Sequence, residues 1–356
     1  MQKQEPGRVF HTLDLLRGLA AIGVVVLHMK DSFLPVRAPG GYLAVDLFFM
    51  MSGVVLSHAY EARFRSGMGT VGFMRARLIR LYPLYLVGTL FGIAVTFASL
   101  LGHNINGWTV PAVLTASLLA LVFLPSLGGA HGDQLFPLNI PSWSLFFEIL
   151  VNLLFVLFWP VLRSGRLAAL CVVSGAAVAF AAVHAGHLDL GSTAATLGSG
   201  LARTVFGFSV GVLLARHVAN RARMEASGLV VAVVIAVVVL AIVVSPSNPY
   251  RPWWDLLCVL VVFPVVVGVS TRVDPSPRWR PVASFLGLTS YAVYVFHTPL
   301  AAVLNSANRV FAGAWFTRPP WAGLCALVLL LAGCWFVDRH LDTPVRRYLA
   351  RALPGR

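Results

Sequence analysis

Charge is what this chain has least of. Only 11% of its 356 residues are Asp, Glu, Lys or Arg, whereas 58% are hydrophobic, and the mean hydropathy is +0.82. So few charges could not wet the surface of a soluble domain, which leaves a polytopic membrane protein. Cysteine is scarce too. The four cysteines, Cys171, Cys258, Cys325 and Cys334, all fall inside apolar runs, without a CxxC pair or a His/Cys ligand spacing. They read as small buried hydrophobes, so neither a disulfide framework nor a metal site is expected. Acidic residues are few: 13 Asp+Glu against 27 Lys+Arg give a formal net charge of +14. In a soluble protein that balance would point to nucleic acid. In a membrane chain the bias of cytoplasmic loops towards Lys and Arg is the better account, and no nucleic-acid partner is expected. The first apolar run lacks a small-residue cleavage site and is expected to be retained. No internal repeat or low-complexity tract stands out.

What is present is a succession of apolar runs with short connections. Runs of spanning length lie near 13–30, 43–60, 81–101, 142–162, 167–184, 197–216, 228–246, 253–271, 286–307 and 320–338. An eleventh, 111–127, is short and bracketed by proline and glycine. If 111–127 does not cross and the N-terminus is inside, 21 basic residues fall on the inner side and five on the outer. The inner set includes Lys3, Arg8, Arg221, Arg223 and Arg356; Lys30, Arg37, Arg251, Arg309 and Arg318 are outside, and Arg203 lies within a span. Letting 111–127 cross would invert every later loop and destroy the asymmetry. The expectation is an all-α bundle of about ten transmembrane helices, 1–356 forming one domain, with both termini cytoplasmic. Segment 111–127 is then re-entrant or interfacial, and no soluble extracytoplasmic domain is expected.

Ionisable groups at membrane depth are costly, so each is a candidate for function. Arg17 and His28 lie eleven residues apart on the first helix. That spacing returns them to one face, separated by about 16 Å of rise. Asp46 opens the second helix from the outside, and Glu148 lies in the sequence PSWSLFFEILVN. His297 shares a helical face with Ser290 and Tyr294 at the i, i+4 and i+7 positions. A histidine oriented by a carboxylate in a dry cavity can remove a proton from a hydroxyl, so His28 with Asp46 or Glu148 forms the candidate catalytic group. Each also has a bland reading: a hydrogen-bonded structural histidine, a helix cap at Asp46, an arginine partner for Glu148.

On the inner side, FMRARLIRLYPLYL places Arg75, Arg77 and Arg80 just ahead of the third apolar run, with Arg77 and Arg80 one turn apart. Basic loops of this kind set topology, but a pair of guanidinium forks also suits phosphate. A phosphate clamp below a mid-membrane base implies a long, phosphate-bearing cytosolic donor whose reactive end climbs into the bundle. Coenzyme A with its pantetheine arm fits that description.

Arg17 with His28 ten residues beyond it, DLFFMMSG, RLIRLYPLY, PSWSLFFE, SYAVYVFHTPL and the closing DTPVRR together resemble the acyltransferase-3 family of integral membrane O-acyltransferases. These proteins modify bacterial O-antigens, exopolysaccharides, Nod factors and some antibiotics. The resemblance runs from about residue 13 to 348, with six motifs in the family's order. It implies a ten-helix bundle in the bacterial cytoplasmic (inner) membrane, with acyl-CoA, foremost acetyl-CoA, as co-substrate and no tightly bound cofactor. It also implies that His28 is essential and that Arg17, Arg77 and Arg80, with Arg75 beside them, act on the donor side. The acceptor would be a hydroxyl of a glycan, a lipid-linked sugar or a small molecule. Ser144, Tyr294 and His297 are the candidate substrate-binding residues. Two motifs depart from the family's pattern: Leu15 stands where a glycine is usual, and Asp342 where a glutamate is usual.

The competing reading from another class is a proton-coupled transporter or flippase of a glycan or lipid-linked sugar. The Arg-x-x-Arg pair and the lack of two similar halves argue against it. A scaffold protein would leave the buried histidine and glutamate unexplained.

Overall fold

Between His11 and His28 the chain is apolar, free of proline, and carries Asp14 in its first turn and His28 in its last, which complements the helix dipole. This stretch is helix α1 (His11–His28) in the computed structural model, which describes residues 9–102, 107–128, 131–219, 228–311 and 314–353. Lys3, Arg8, Arg221, Arg223 and Arg356, all assigned to the inner side above, lie outside the described residues, as does the side chain of Arg309. The same logic of uninterrupted apolar sequence gives α2 (Ala44–Arg65), α3 (Thr70–Leu101), α5 (Ser142–Phe158), α6 (Ser164–Ala185) and α7 (Leu197–Leu214). After α8 (Gly228–Val243), the helices α9 (Arg251–Leu257) and α10 (Phe263–Ser270) are joined by a π-turn, Cys258–Val262, into one continuous span. Helix α11 (Arg280–Val310) precedes α12 (Trp321–Val337), and a second π-turn, Asp338–Asp342, leads into α13 (Thr343–Ala352). Pro264 and Pro344 each follow one of these π-turns, where a ring without an N–H is most easily accommodated.

Among the described residues, nine helices are long and apolar enough to cross a membrane. Helix α8, with 16 residues, is shorter, and together with these nine it matches the ten runs read from sequence. Segment 111–127 forms only a 12-residue helix, α4 (Val110–Leu121). At about 1.5 Å per residue it is too short for a hydrocarbon core of about 30 Å. It packs on α3 through Trp108, Val113, Ala116 and Ala120. Two tyrosines of α3 satisfy its open C-terminal end: Tyr85 donates to the Ala120 carbonyl at 2.7 Å and Tyr82 to that of Leu121 at 2.6 Å.

One boundary differs in a way that matters. The third span starts at Thr70, not near residue 81, because the aliphatic stems of Arg75, Arg77 and Arg80 continue the helix where their charges had suggested a loop. Arg77 and Arg80 therefore project from within the bundle. The helices that carry the two histidines, α1 and α11, pack along much of their length. A Cβ on Gly18 would collide with Leu286, and one on Gly287 with Asp14, so only glycine permits this approach.

Candidate active site

The site residues fall into two storeys and a separate ion pair. The lower storey is a cavity of about 170 Å³ enclosed by α1, α2, α3, α5 and α11. Arg17, Arg77, Arg80 and Glu148 supply its charges, and Ser144 and Tyr294 also line it. Three guanidinium groups thus share one cavity with one lining carboxylate. Glu148 Oε1 accepts from Arg77 Nη2 at 2.9 Å and from Ser52 Oγ at 2.9 Å. Arg77 Nε is buried without a partner. Arg17 Nη1 donates to Asp14 Oδ1 at 3.2 Å, one turn away on α1. Arg80 has no carboxylate within ion-pair distance among the described residues, so the cavity keeps a surplus positive charge. Ser144 Oγ and Tyr294 Oη lie 2.7 Å apart and bridge α5 to α11 across this cavity.

The upper storey is a histidine pair. His28 is the last residue of α1 and is exposed, whereas His297 is fully buried. His297 Nε2 lies 2.9 Å from His28 Nδ1, and His297 Nδ1 lies 3.1 Å from the Val293 carbonyl oxygen. A carbonyl can only accept, so His297 Nδ1 carries the proton and its Nε2, in a neutral ring, is bare. That bare nitrogen accepts from His28 Nδ1–H. Neutral His28 is then left with a free lone pair on Nε2, the state a general base needs. Tyr294 connects the storeys: it lines the cavity, and its ring centroid is 5.8 Å from that of His297. Neither histidine lines the cavity itself.

Four sequence-derived expectations change. Asp46 does not orient His28. It is fully buried in an ion pair with Arg203, whose Nε and Nη2 reach its two oxygens at 3.0 and 2.6 Å. Arg203 also donates to the carbonyls of Leu190 and Tyr42, so every arm of the guanidinium is used. Glu148 does not orient His28 either, because it is engaged by Arg77 and Ser52. Arg75 is not part of the arginine cluster: two residues from Arg77 on a helix it points elsewhere, and its Nη1 donates to the Leu353 carbonyl at 3.2 Å. His297 touches His28 and is absent from the cavity lining, although Ser144 and Tyr294 are in it.

Sequence reasoning missed the partners more than the residues. Arg203 is visible as a charge within a span, and a buried charge in a membrane calls for an opposite one. Asp255 is a second such case: fully buried, it accepts from Tyr42 Oη at 2.7 and 2.9 Å and from the Leu188 amide at 2.8 Å.

The profile of the acyltransferase-3 family, described as an acyltransferase domain, matches residues 10–339. A protein of Rhizobium radiobacter named protein 2 in the picA locus is 39% identical over 159 residues, covering 42% of this chain and 82% of that protein. A protein of Komagataeibacter xylinus named as a membrane-bound transacylase, BcsY, is 28% identical over 305 residues, covering 82% of this chain and 73% of its own. The acyltransferase MdmB of Streptomyces mycarofaciens is 33% identical over 171 residues, covering 44% of this chain and 42% of its own. No solved structure matches the chain. The match over nearly the whole bundle carries the conclusion that this chain belongs to the acyltransferase-3 family and is a multi-pass membrane acyltransferase.

Proposed function

We propose that this protein is an O-acyltransferase that moves an acyl group, foremost acetyl, from cytosolic acyl-CoA to a hydroxyl of a sugar or glycan at the outer side of the bacterial cytoplasmic membrane. The observation that carries this reading is Arg80, which has no carboxylate within ion-pair distance among the described residues and lines a cavity already holding two other arginines. A surplus guanidinium in a membrane interior favours an anionic ligand, and phosphate matches its fork. The cavity is too small for a whole coenzyme A, so the nucleotide end rests outside and the pantetheine arm occupies the space towards Ser144 and Tyr294.

His28 Nε2 takes the proton of the acceptor hydroxyl as its oxygen attacks the thioester carbonyl carbon. The carbon–sulfur bond breaks, and the departing thiolate takes up that proton. His297 holds the base in the right tautomer, the role foreseen above for a carboxylate. Because Tyr294 and His297 stand between cavity and base, transfer by this route requires the Ser144–Tyr294 bridge to open as the thioester rises.

The orientation rests on the asymmetry of basic residues: with both termini cytoplasmic, Gly132 faces outwards and Ser164 inwards. Cysteine substitutions labelled with an impermeant thiol reagent test this, and labelling of position 132 only from the cytosol would reverse it. The reaction is tested by giving the purified protein in nanodiscs radiolabelled acetyl-CoA with a sugar acceptor. Acceptor-dependent release of free coenzyme A is expected. Donor that binds but is never consumed, while a labelled glycan crosses the bilayer, would replace this reading with transport.

A further inference from the structure

Away from the cavity, the ends of four helices converge on a second concave site. Arg65 closes α2, Trp159 follows the last turn of α5, Arg163 precedes the first turn of α6, and Arg216 follows α7. They line a groove of about 530 Å³, which shares no lining residue with the cavity. Only two residues separate the apolar stretches Ser142–Val161 and Ser164–Ala185, so the groove must sit at the membrane boundary. That is the depth of lipid headgroups and a preferred depth for tryptophan.

The groove is built, not merely lined with surface charge. Glu61, 4% exposed, accepts from Arg216 Nε at 2.7 Å and from Ser57 Oγ at 2.8 Å. Arg216 Nη1 also donates to the Leu162 carbonyl at 2.7 Å, and its guanidinium lies 5.3 Å from the Trp159 ring centroid. A π-turn, Ala215–Ala219, presents Arg216 to the groove; such turns recur at functional sites. Arg65, 58% exposed, reaches Glu61 only at 3.8 Å, and Arg163 has no carboxylate partner among the described residues. One carboxylate thus faces three guanidinium groups. The N-terminus of α6, whose amide dipoles also favour negative charge, opens beside Arg163.

We propose that this groove holds the phosphodiester headgroup of an anionic phospholipid. Arg65 and Arg163 contact the phosphate, Arg216 is the fixed cation behind it, and Trp159 lies against the glycerol and the first acyl carbons. Basic pockets between transmembrane helices recognise anionic headgroups in this way. A lipid is favoured over a soluble phosphate because the groove lies where two spans meet the headgroup layer and has an indole for its wall. The site is independent of the acyl donor and of which side of the membrane is inner.

The full-length protein in nanodiscs provides the test. Phosphatidylglycerol brominated on its acyl chains is titrated into phosphatidylcholine discs, and the Trp159 signal is isolated by subtracting the emission of Trp159→Phe protein. Brominated phosphatidylglycerol should quench that signal well before brominated phosphatidylcholine does. The double variant Arg65→Gln/Arg163→Gln changes only exposed side chains. It should weaken the preference about thirty-fold, or about five-fold for each charge lost. Native mass spectrometry should show retained phosphatidylglycerol falling in parallel. Equal quenching by the two lipids, or an unchanged preference in the double variant, overturns the proposal. Displacement of the brominated lipid by glycerol 3-phosphate or by adenosine 3′,5′-bisphosphate also overturns it, assigning the groove to a soluble phosphate or to the donor nucleotide.

Discussion

Arg203–Asp46 and Arg77–Glu148, two of the arginine–carboxylate pairs within this bundle, differ in what they leave unused. Arg203 and Asp46 are each 1% exposed; both oxygens and all three guanidinium nitrogens have partners. Arg77 and Glu148 are 12% and 19% exposed, meet through one nitrogen and one oxygen, and leave Arg77 Nε bare. The first pair is closed and holds α2, α7 and the loop at Leu190 together. The second faces a cavity and adjoins Arg80, which has no carboxylate within ion-pair distance among the described residues. Both look alike as sequence, a charge within an apolar run. Unused hydrogen-bonding capacity separates a structural pair from one poised for a ligand.

Breaking the closed pair should have the largest effect. Asp46→Asn or Arg203→Met leaves one buried charge without its partner, a loss of about 3–5 kcal/mol. Size-exclusion profiles and thermal unfolding in detergent should show little folded protein. Replacing both residues with apolar ones should recover part of it, because the uncompensated charge is gone. If Asp46→Asn were well folded and inactive, Asp46 would return to the catalytic group.

At the histidine pair the loss should fall on rate instead of folding. His28 is exposed at a helix end, so His28→Gln should fold normally and bind donor with unchanged affinity. Its turnover should drop roughly 10²- to 10⁴-fold, the contribution of a general base. In the parent protein turnover should rise with pH as the imidazole loses its proton, and this limb should vanish in His28→Gln. Near-normal turnover in folded His28→Gln protein would end the assignment.

The cavity arginines separate in a third experiment. Arg80→Ala should keep its fold and raise the apparent KM for acyl-CoA about ten- to hundred-fold, the worth of a hydrogen bond to a charged group. Arg80→Lys should recover part of that, because charge survives but the fork does not. Arg77→Ala instead leaves Glu148 unpaired and should lower the yield of folded protein, as the closed pair does. Equal behaviour of the two variants would erase the distinction drawn between them.

The sequence makes legible whatever is one-dimensional. Run lengths locate the spans, the brevity of 111–127 separates α4 from them, and ionisable residues inside apolar runs identify His28, Asp46, Glu148 and His297 as places to look. Pairing is not one-dimensional. Asp46 meets Arg203 across 157 positions and His28 meets His297 across 269. No local pattern encodes which carboxylate or imidazole arrives opposite which. The start of α3 is obscured for a different reason: hydropathy scores an arginine by its charge, whereas the helix uses its stem. Arg75 is misplaced by the same habit, since three neighbouring arginines read as one cluster until helical geometry turns Arg75 away from the face that Arg77 and Arg80 share.

The smallest expected effect concerns His297, and it asks whether the upper storey resembles the closed pair or the open one. Its Nδ1 is committed to the Val293 carbonyl and its Nε2 to His28, so like Arg203 it has nothing left to offer a substrate. Its contribution is to accept one hydrogen bond and thereby fix which nitrogen of His28 is bare. A neutral hydrogen bond of this kind is worth about 1 kcal/mol, or about five-fold. His297→Gln provides an amide oxygen that can accept from His28 Nδ1–H and should keep turnover close to that of the parent. His297→Leu removes the acceptor and should lower turnover about five-fold, with the donor KM unchanged and the ascending pH limb still present, because His28 still titrates. A purely structural His297 would instead cost folded protein in both variants and leave turnover per folded molecule constant. If His297 were itself the base, Gln would be as inactive as Leu and the pH limb would disappear in both. The ratio of the two variants' turnover, with their pH profiles, therefore separates positioning, packing and proton transfer at one residue.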